Sequence, residues 1–163
     1  MSSGIAVSEE CITRFNELRD NHKYKYVIFR IGQDLKSIIV EKTSEDDKND
    51  AEDAPAEDAD SDSSETPAEE LSGEYGKFVR SFPKKDGRYA VYDFDYVHDG
   101  GQRNKLLFYT WAPDNAPVKS KMLYASSKKD IEQKLSGVST VIQATEKSDL
   151  FYKNVLEKLQ RFH

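Results

Sequence analysis

The 163-residue chain carries 24 Lys and Arg residues against 30 Asp and Glu residues, for a formal net charge of −6. No apolar run approaches the roughly 18 residues that a membrane span needs, and the N-terminus lacks the basic start and apolar stretch of a secretory signal. A single cysteine excludes an intramolecular disulfide, and three scattered histidines lack the spacing of a zinc site.

The charge is divided sharply along the chain. Residues 45–74 contain fourteen acidic side chains and one base, Lys48, so this segment carries −13 and the remainder +7. The acidic segment contains one large apolar residue, Leu71, and cannot bury enough surface to offset the entropy of folding. We therefore expect a disordered loop at about 45–73 within one domain. The basic remainder should favour an acidic partner.

The elements before and just after this loop follow from hydrophobic periodicity. Ser8 can cap a first helix, since Glu9 and Glu10 suit its positive end and Cys11, Phe15 and Leu18 recur on one face. The pattern predicts a helix at 8–20, strands at 24–31 and 37–42 joined by a turn at 32–34, and a short helix at 75–81.

A strand at 88–97 alternates with a period of two. Tyr89, Val91, Asp93 and Asp95 fall on one side, and Ala90, Tyr92, Phe94 and Tyr96 on the other. An Asp-Gly-Gly turn separates it from an apolar strand at 105–111. The two strands predict a hairpin whose loop is longer than two residues.

The last third of the chain alternates helices and a strand. Pro117 suits the first turn of a helix that runs to about Leu135 and that Gly137 ends. A strand at 139–145 follows, and Ser148 can cap a last helix with a buried stripe. That stripe comprises Phe151, Val155, Leu159 and Phe162. The pattern predicts one α/β domain with a mixed sheet covered by helices.

The residues indicate no catalytic centre. There is no Gly-rich phosphate loop, nucleophile elbow or metalloprotease motif. Cys11 lies on an apolar helix stripe and is interpreted as a buried structural thiol. Asp93 and Asp95 are interpreted as a solvated strand face, and His98 as an exposed side chain. We expect no enzyme activity, no cofactor and no metal.

Three charged groups invite a binding role. Arg103 and Lys105 lie in the hairpin, and Lys119 and Lys121 open a helix at the end where its dipole disfavours cations. Residues Glu157, Lys158 and Arg161 face away from the buried stripe of the last helix, although the i, i+4 spacing of Glu157 and Arg161 also suits a simple ion pair. Each group is also compatible with an ordinary solvated surface. No nucleic-acid-binding motif accompanies the bases, so nucleic acid is not expected as a partner.

Four segments carry a family resemblance. Residues 111–128 read WAPDNAPVKSKMLYASSK, residues 3–7 read SGIAV, residues 88–94 read RYAVYDF and residues 135–138 read LSGV. In this order they resemble the actin-depolymerising factor/cofilin family across the whole chain except the acidic insert. The resemblance implies a single actin-depolymerising factor homology domain, 1–163, with a five-stranded mixed sheet sandwiched by helices.

The resemblance also implies two actin-binding surfaces, and actin is an acidic protein. The first binds monomers and one filament subunit, with Met122 and Ile5 as apolar anchors beside the lysines. It comprises Ser3, Gly4, Ile5, Lys119, Lys121 and Met122. The second touches the neighbouring filament subunit and comprises Arg103, Lys105, Glu157, Lys158 and Arg161. The implied function is to bind monomers and filament sides, to twist and sever filaments, and to promote depolymerisation.

Regulation and location follow from the same resemblance. Phosphorylation of Ser3 would add −1.5 to −2 charges at the contact with actin and switch binding off. Phosphoinositides would compete with actin through Lys119 and Lys121. The resemblance implies a cytoplasmic, monomeric phosphoprotein of the actin cytoskeleton, with the nucleus as a further location.

The chain departs from the family pattern at three places. Gln102 stands where relatives often have a base, and Lys158 where some have arginine, which lysine does not replace in a bidentate contact. The third departure is the acidic insert, which we expect to compete with actin for the basic surfaces, more strongly at low salt. Phosphorylation at Ser61, Ser63, Ser64 and Thr66 would strengthen this effect. A tolerated insertion that affects only solubility is the alternative.

Two other functions remain open at this point. A relative of the same fold that does not sever, either coactosin-like or a glia-maturation-factor-like binder of the branched-filament nucleating complex, is the nearest alternative. A phosphoinositide-binding adaptor at the membrane surface is another. The Ser3 terminus and the Lys119–Met122 match favour the cofilin type.

Overall fold

The computed structural model describes residues 4–49 and 73–161 of the chain. These residues form six strands and five α-helices. In chain order they are β1 Ala6–Val7, α1 Glu9–Asn21, β2 Tyr26–Ile31, β3 Ser37–Thr43, α2 Ser44–Asn49, α3 Gly73–Arg80, β4 Arg88–His98, β5 Gly101–Trp111, α4 Val118–Lys134, β6 Thr140–Ala144 and α5 Tyr152–Arg161, with a 3-10 turn at Lys147–Leu150 before α5. None of these helices combines the length and apolar content that crossing a bilayer requires.

The strands form one mixed sheet in the order β1-β3-β2-β4-β5-β6. Neighbours β3, β2, β4 and β5 pair antiparallel, whereas β1 and β6 pair parallel with β3 and β5 at the two edges. The expected mixed α/β architecture is therefore confirmed. The sheet has one strand more than the five that the resemblance implies. The additional strand, β1, has only two residues, too few for an alternating pattern to be recognised in the sequence.

The predicted period-two alternation of β4 is confirmed, because alternate side chains of this strand are buried on opposite faces of the sheet. Tyr89 and Val91 pack with α1 and α4, while Ala90, Tyr92 and Phe94 pack with α3 and α5. Helices therefore cover both faces of the sheet, as the pattern predicts.

The β4–β5 hairpin closes through a shorter turn than expected. His98 pairs directly with Gly101, so the loop contains only Asp99 and Gly100. Both adopt positive φ, 53° and 75°, as a type I′ turn requires at its two central residues. The expectation of a loop longer than two residues is wrong because Gly101 continues the strand instead of the turn.

The acidic segment begins as a helix. Thr43 precedes α2, and its backbone N–H donates to Oδ2 of Asp46 at 2.8 Å, which is half of a capping box. Ser44 is buried, and its Oγ accepts a hydrogen bond from the backbone of Lys25 at 2.8 Å. Residues 45–49 are therefore helical and differ from the disordered loop expected at about 45–73, and α2 contacts α3. Residues 50–72, with Ser61, Ser63, Ser64 and Thr66, lie outside the described residues.

Helix starts differ from expectation at two serines. Ser8 precedes α1, but its Oγ lies 3.3 Å from Sγ of Cys11 and caps no backbone amide. Ser148 lies inside the 3-10 turn, where Glu146 and Asp149 form the capping box, so α5 begins three residues later than a Ser148 cap implies. The hydroxyl of Ser148 instead donates to Oε2 of Glu146 at 3.3 Å.

The interpretation of Cys11 is confirmed and that of Asp93 is wrong. Cys11 is fully buried, and burial raises the pKa of its thiol. Asp93 is 5% exposed, His22 Nδ1 lies 3.2 Å from its Oδ2, and the Asn104 amide donates to its Oδ1. Asp95 is exposed as expected, whereas His98 is partly buried.

Gly87 sets how closely α4 approaches the sheet. A Cβ on Gly87 would come within 2.9 Å of Cε2 of Tyr124 and closer still to Cδ2.

We expect Gly87→Ala to push α4 outward and to lower the free energy of unfolding by about 1–3 kcal/mol, measured by urea denaturation. Gly101→Ala is the control, since its Cβ would lie 3.6 Å from the nearest atom. Equal stability of the two variants would contradict this account.

Candidate functional site

The first predicted surface lies where β1 meets α4. Ser3 is outside the described residues, and Gly4 is exposed with φ of 80°. Ile5 is only 5% exposed and packs in the same core cluster as Tyr124 of α4. Its expected role as a surface anchor is therefore wrong, and Ile5 instead fixes the N-terminal segment against α4.

The first turn of α4 presents the remaining members of this surface. Lys119 is exposed, while Lys121 is partly buried with Nζ 3.4 Å from the carbonyl oxygen of Asp114. Met122 is 65% exposed and Val118, four residues earlier, is 69% exposed. The two therefore form one apolar strip beside the lysines. Sequence reasoning missed Val118, although its i, i+4 spacing from Met122 was visible.

Two tyrosines attach the middle of α4 to the sheet. The backbone N–H of Ile31 donates to the hydroxyl of Tyr124 at 2.9 Å, and the hydroxyl of Tyr89 donates to the carbonyl of Tyr124. Both rings are buried. These contacts hold α4 over β2 and β4.

A cluster of charged side chains holds the start of α4. Oδ1 of Asp86 accepts from Oγ of Ser120 at 2.8 Å and from the backbone of Gly87 at 2.9 Å. Oδ2 of Asp86 accepts from Nη1 of Arg88 at 2.8 Å. Arg88 in turn donates through Nε and Nη2 to both carboxylate oxygens of Glu41, at 2.9 and 3.0 Å.

This cluster shifts two pKa values. Burial raises the pKa of Asp86, but hydrogen bonds from Arg88 and Ser120 together outweigh burial, so the net pKa lies below the ordinary 3.8. Burial lowers the pKa of Arg88, and the hydrogen bonds and charge of Glu41 more than reverse this. Both groups are therefore charged at neutral pH.

The structure brings the second predicted surface together at the far end of the hairpin. Arg103 pairs with Tyr96 and Lys105 with Phe94, so both bases lie on the sheet face that α5 covers. In α5, the ring of Tyr152 stacks on Phe94 at 4.9 Å between centroids.

The exposed side of α5 carries the other members of this surface. Glu157 and Arg161 are 62% and 66% exposed and form an ion pair at 2.9 Å, whereas Lys158 is partly buried. The simple i, i+4 pairing that the sequence allows is therefore present. An exposed pair of this kind adds little stability, so it leaves both side chains free to exchange partners.

The two surfaces lie at opposite ends and on opposite faces of the β4–β5 pair. The first is held beside Arg88 at the start of β4, and the second lies beside Tyr96. Eight residues of strand separate these positions, or about 26 Å at 3.3 Å per residue. The β4–β5 ladder therefore separates the first surface from the second.

A third charged region was not predicted. A groove of about 600 Å³ is lined by His22, Lys25 and Asp93 among others. Lys25 Nζ lies 2.6 Å from Asp95 Oδ2, so the opposite charges largely pair with each other. Within residues 4–49 and 73–161, no three His, Cys, Asp or Glu side chains are placed to hold a metal ion.

Comparisons with known proteins match nearly the entire chain. The model of the cofilin/tropomyosin-type actin-binding protein family matches residues 4–160. A cofilin of Eremothecium gossypii is 40% identical over 161 residues, covering 98% of this chain and 94% of that protein. Actophorin of Acanthamoeba castellanii is 36% identical, covering 98% and 97%. A crystal structure of Streptomyces griseoflavus cofilin superimposes with a TM-score of 0.75 at 34% identity, covering 98% and 100%.

The lowered pKa of Asp86 predicts a pH dependence. The ionised carboxylate stabilises the fold above the unfolded-state pKa of about 3.8, and this contribution is lost as pH falls through the lower folded-state pKa. We expect Asp86→Asn to cost roughly 1 kcal/mol at pH 7, because the carboxylate is partly exposed. The difference should shrink below about pH 4.

Urea unfolding between pH 3 and pH 7 measures this difference. Asp114→Asn, which changes an exposed carboxylate in the loop before α4, is the matched control. A difference between wild type and Asp86→Asn that stays constant down to pH 3 would contradict the assignment.

Proposed function

This chain belongs to the cofilin/actin-depolymerising factor family, and from that premise we propose that it binds actin monomers and filament sides, severs filaments and promotes their depolymerisation. The observation that carries the proposal is the placement of two charged surfaces at opposite ends of one β-ladder. Proteins of this family act by binding and not as enzymes, so the chain needs no catalytic residue.

The first surface supplies both anchoring and steering. Met122 and Val118 are exposed apolar side chains that a cleft in actin can desolvate, and such buried anchors dominate the affinity of most interfaces. Lys119 and Lys121 favour encounter with an acidic partner. Gly4, and Ile5 beneath it, place the N-terminal segment next to this strip.

The second surface would contact the neighbouring subunit of a filament. Arg103, Lys105, Lys158 and Arg161 bring basic side chains together on the α5 side of the sheet, with Glu157 paired to Arg161. A protein that contacts two subunits, and fits one relative twist better than another, shifts the filament toward that twist. Breakage at the boundary between decorated and bare stretches is the proposed origin of severing.

Regulation is proposed at the first surface. A phosphate on Ser3 would place negative charge beside the contact with acidic actin. Phosphoinositide headgroups would compete for Lys119 and Lys121. We propose a monomeric protein that acts in the cytoplasm on the actin cytoskeleton, with the nucleus as a further location.

A sedimentation and imaging assay tests severing against the alternatives. Unphosphorylated protein is mixed with preformed actin filaments, which are then pelleted and also counted by microscopy. Co-pelleting, more actin in the supernatant and more filament ends are expected. Co-pelleting without new ends would indicate a coactosin-like protein, and binding to phosphoinositide vesicles without binding to actin would indicate a membrane adaptor.

Charge reversal separates the two surfaces. We expect Lys119→Glu with Lys121→Glu to weaken binding to both monomers and filaments by at least tenfold, because both contacts include the first surface. Arg103→Glu with Lys105→Glu should weaken filament binding to a similar degree and leave monomer binding intact. Fluorescence titration of monomers and co-sedimentation with filaments measure the two affinities.

Lys129→Glu with Lys134→Glu is the control for net charge, because this double variant makes the same charge change with two bases toward the opposite end of α4. It should leave both affinities near the wild-type values. Equal loss of monomer binding in the two surface variants would contradict the division into two surfaces.

The acidic insert is proposed to compete with actin for these basic surfaces. By sequence, residues 50–72 hold ten acidic side chains and no Lys or Arg. The flanking helices α2 and α3 contact each other, so a deletion can join them without stretching the sheet. Deleting only residues 50–72, with a short Gly-Ser linker, keeps Ser44 and its hydrogen bond to Lys25 in place.

We expect this deletion to strengthen actin binding several-fold at low salt, with the gain vanishing toward 0.5 M salt as screening removes the competition. A full-length variant with every acid in 50–72 changed to Asn or Gln is the matched control for length. It should behave as the deletion does. Affinity that is unchanged at every salt concentration would support the alternative of a merely tolerated insertion.

A further inference from the structure

The first turn of α4 lacks the usual sources of helix stability. Pro117 stands at the N-cap, where Ser, Thr, Asp or Asn would satisfy a free backbone N–H, and no side-chain cap is present. The first turn contains no acidic residue, and Lys119 and Lys121 add positive charge to the positive end of the helix dipole. By itself, this turn should fray.

Asp86 supplies the missing negative charge from outside the helix. It lies in the segment just before β4, and its Oδ1 accepts a hydrogen bond from Oγ of Ser120 in that first turn at 2.8 Å. A carboxylate near a helix N-terminus is favourable both as an acceptor and against the dipole. Ser120 thus connects the turn to an anion that the helix itself does not contain.

Asp86 is in turn fixed by the sheet. Arg88 is 8% exposed and donates to Asp86 at 2.8 Å, while its other nitrogens bind both oxygens of Glu41 in β3. A bidentate arginine–carboxylate pair has a defined geometry, so Asp86 has little freedom to follow a moving helix. The anchor of Ser120 is therefore rigid.

Because Ser120 lies between Lys119 and Lys121 in the sequence, its contact with Asp86 also affects the directions of these two lysines. Neighbouring residues on an α-helix project about 100° apart. Fixing Ser120 toward Asp86 therefore determines where Lys119 and Lys121 point on either side of it. A frayed turn would have to be ordered during binding, at a cost in affinity.

We propose that Ser120 is a positioning residue for actin binding, held by the chain Glu41–Arg88–Asp86–Ser120, and that this chain fixes the first turn of α4 so that Lys119, Lys121 and Met122 are presented together. The inference rests on the proposed function, because the value of the ordered turn lies in the contact with actin. Ser120 itself is directed at Asp86 and acts through its neighbours.

Ser120→Ala is the direct test. The backbone N–H of Lys121, bonded to the carbonyl of Pro117 at 3.0 Å, closes the first turn, and its hydrogen exchange measured by NMR reports fraying without any actin. We expect this amide to exchange three to ten times faster in the variant, and the affinity for actin monomers to fall by a similar factor. Alanine is the better helix former, so a residue that served helix propensity alone would show slower exchange.

Two further variants control the test. Ser126→Ala makes the same change in the same helix at an exposed serine that bonds only to Leu123 within α4, and it should change neither measurement. Ser120→Thr retains the hydroxyl and should restore both. In a double-mutant cycle, adding Asp86→Asn to Ser120→Ala should cost less than the sum of the single changes, since both remove one interaction.

The outcomes separate the inference from the proposed function. Unchanged exchange at Lys121 in Ser120→Ala would overturn the anchor. Faster exchange with unchanged monomer affinity would overturn the positioning role. If the wild-type protein fails to bind monomers, the proposed function is overturned, while the exchange measurement still decides whether Asp86 and Ser120 hold the turn.

Discussion

The burial of β4 on both faces is the constraint on which the other elements depend. Its first seven residues are all buried, and apolar side chains from Tyr89 to Phe94 point into two separate clusters on the two faces. Because neither face of this strand tolerates water, helices must cover both. The two helices that carry the candidate binding residues, α4 and α5, therefore lie on opposite sides of the sheet.

The features that could be predicted from sequence depend on residues that are close together in the chain. The alternation from Tyr89 to Tyr96 is one, and the concentration of negative charge in the acidic segment is another. The features that escaped prediction depend on contacts distant in sequence. Asp93 reads as a solvated residue until His22, 71 positions away, and Asn104 on the opposite strand are placed beside it.

The candidate site divides in the same way. The lysines of α4 and the charged residues of the hairpin and α5 were found through resemblance, and strand register then explains why Arg103 and Lys105 lie on the α5 side. The Asp86–Ser120 contact links residues 34 positions apart and has no local signature. Ile5 was misassigned because an apolar residue near a terminus looks the same in sequence whether it packs inward or outward.

The uninterrupted pairing of β4 with β5 has a mechanical consequence. Eleven consecutive residue pairs join the two strands, and a two-residue turn closes them without slack. Such a ribbon resists stretching and bending far better than a flexible linker would. If both candidate surfaces bind at once, this ribbon keeps the distance between them fixed. A mismatch between that distance and the spacing of the two binding sites must then be accommodated by the partner.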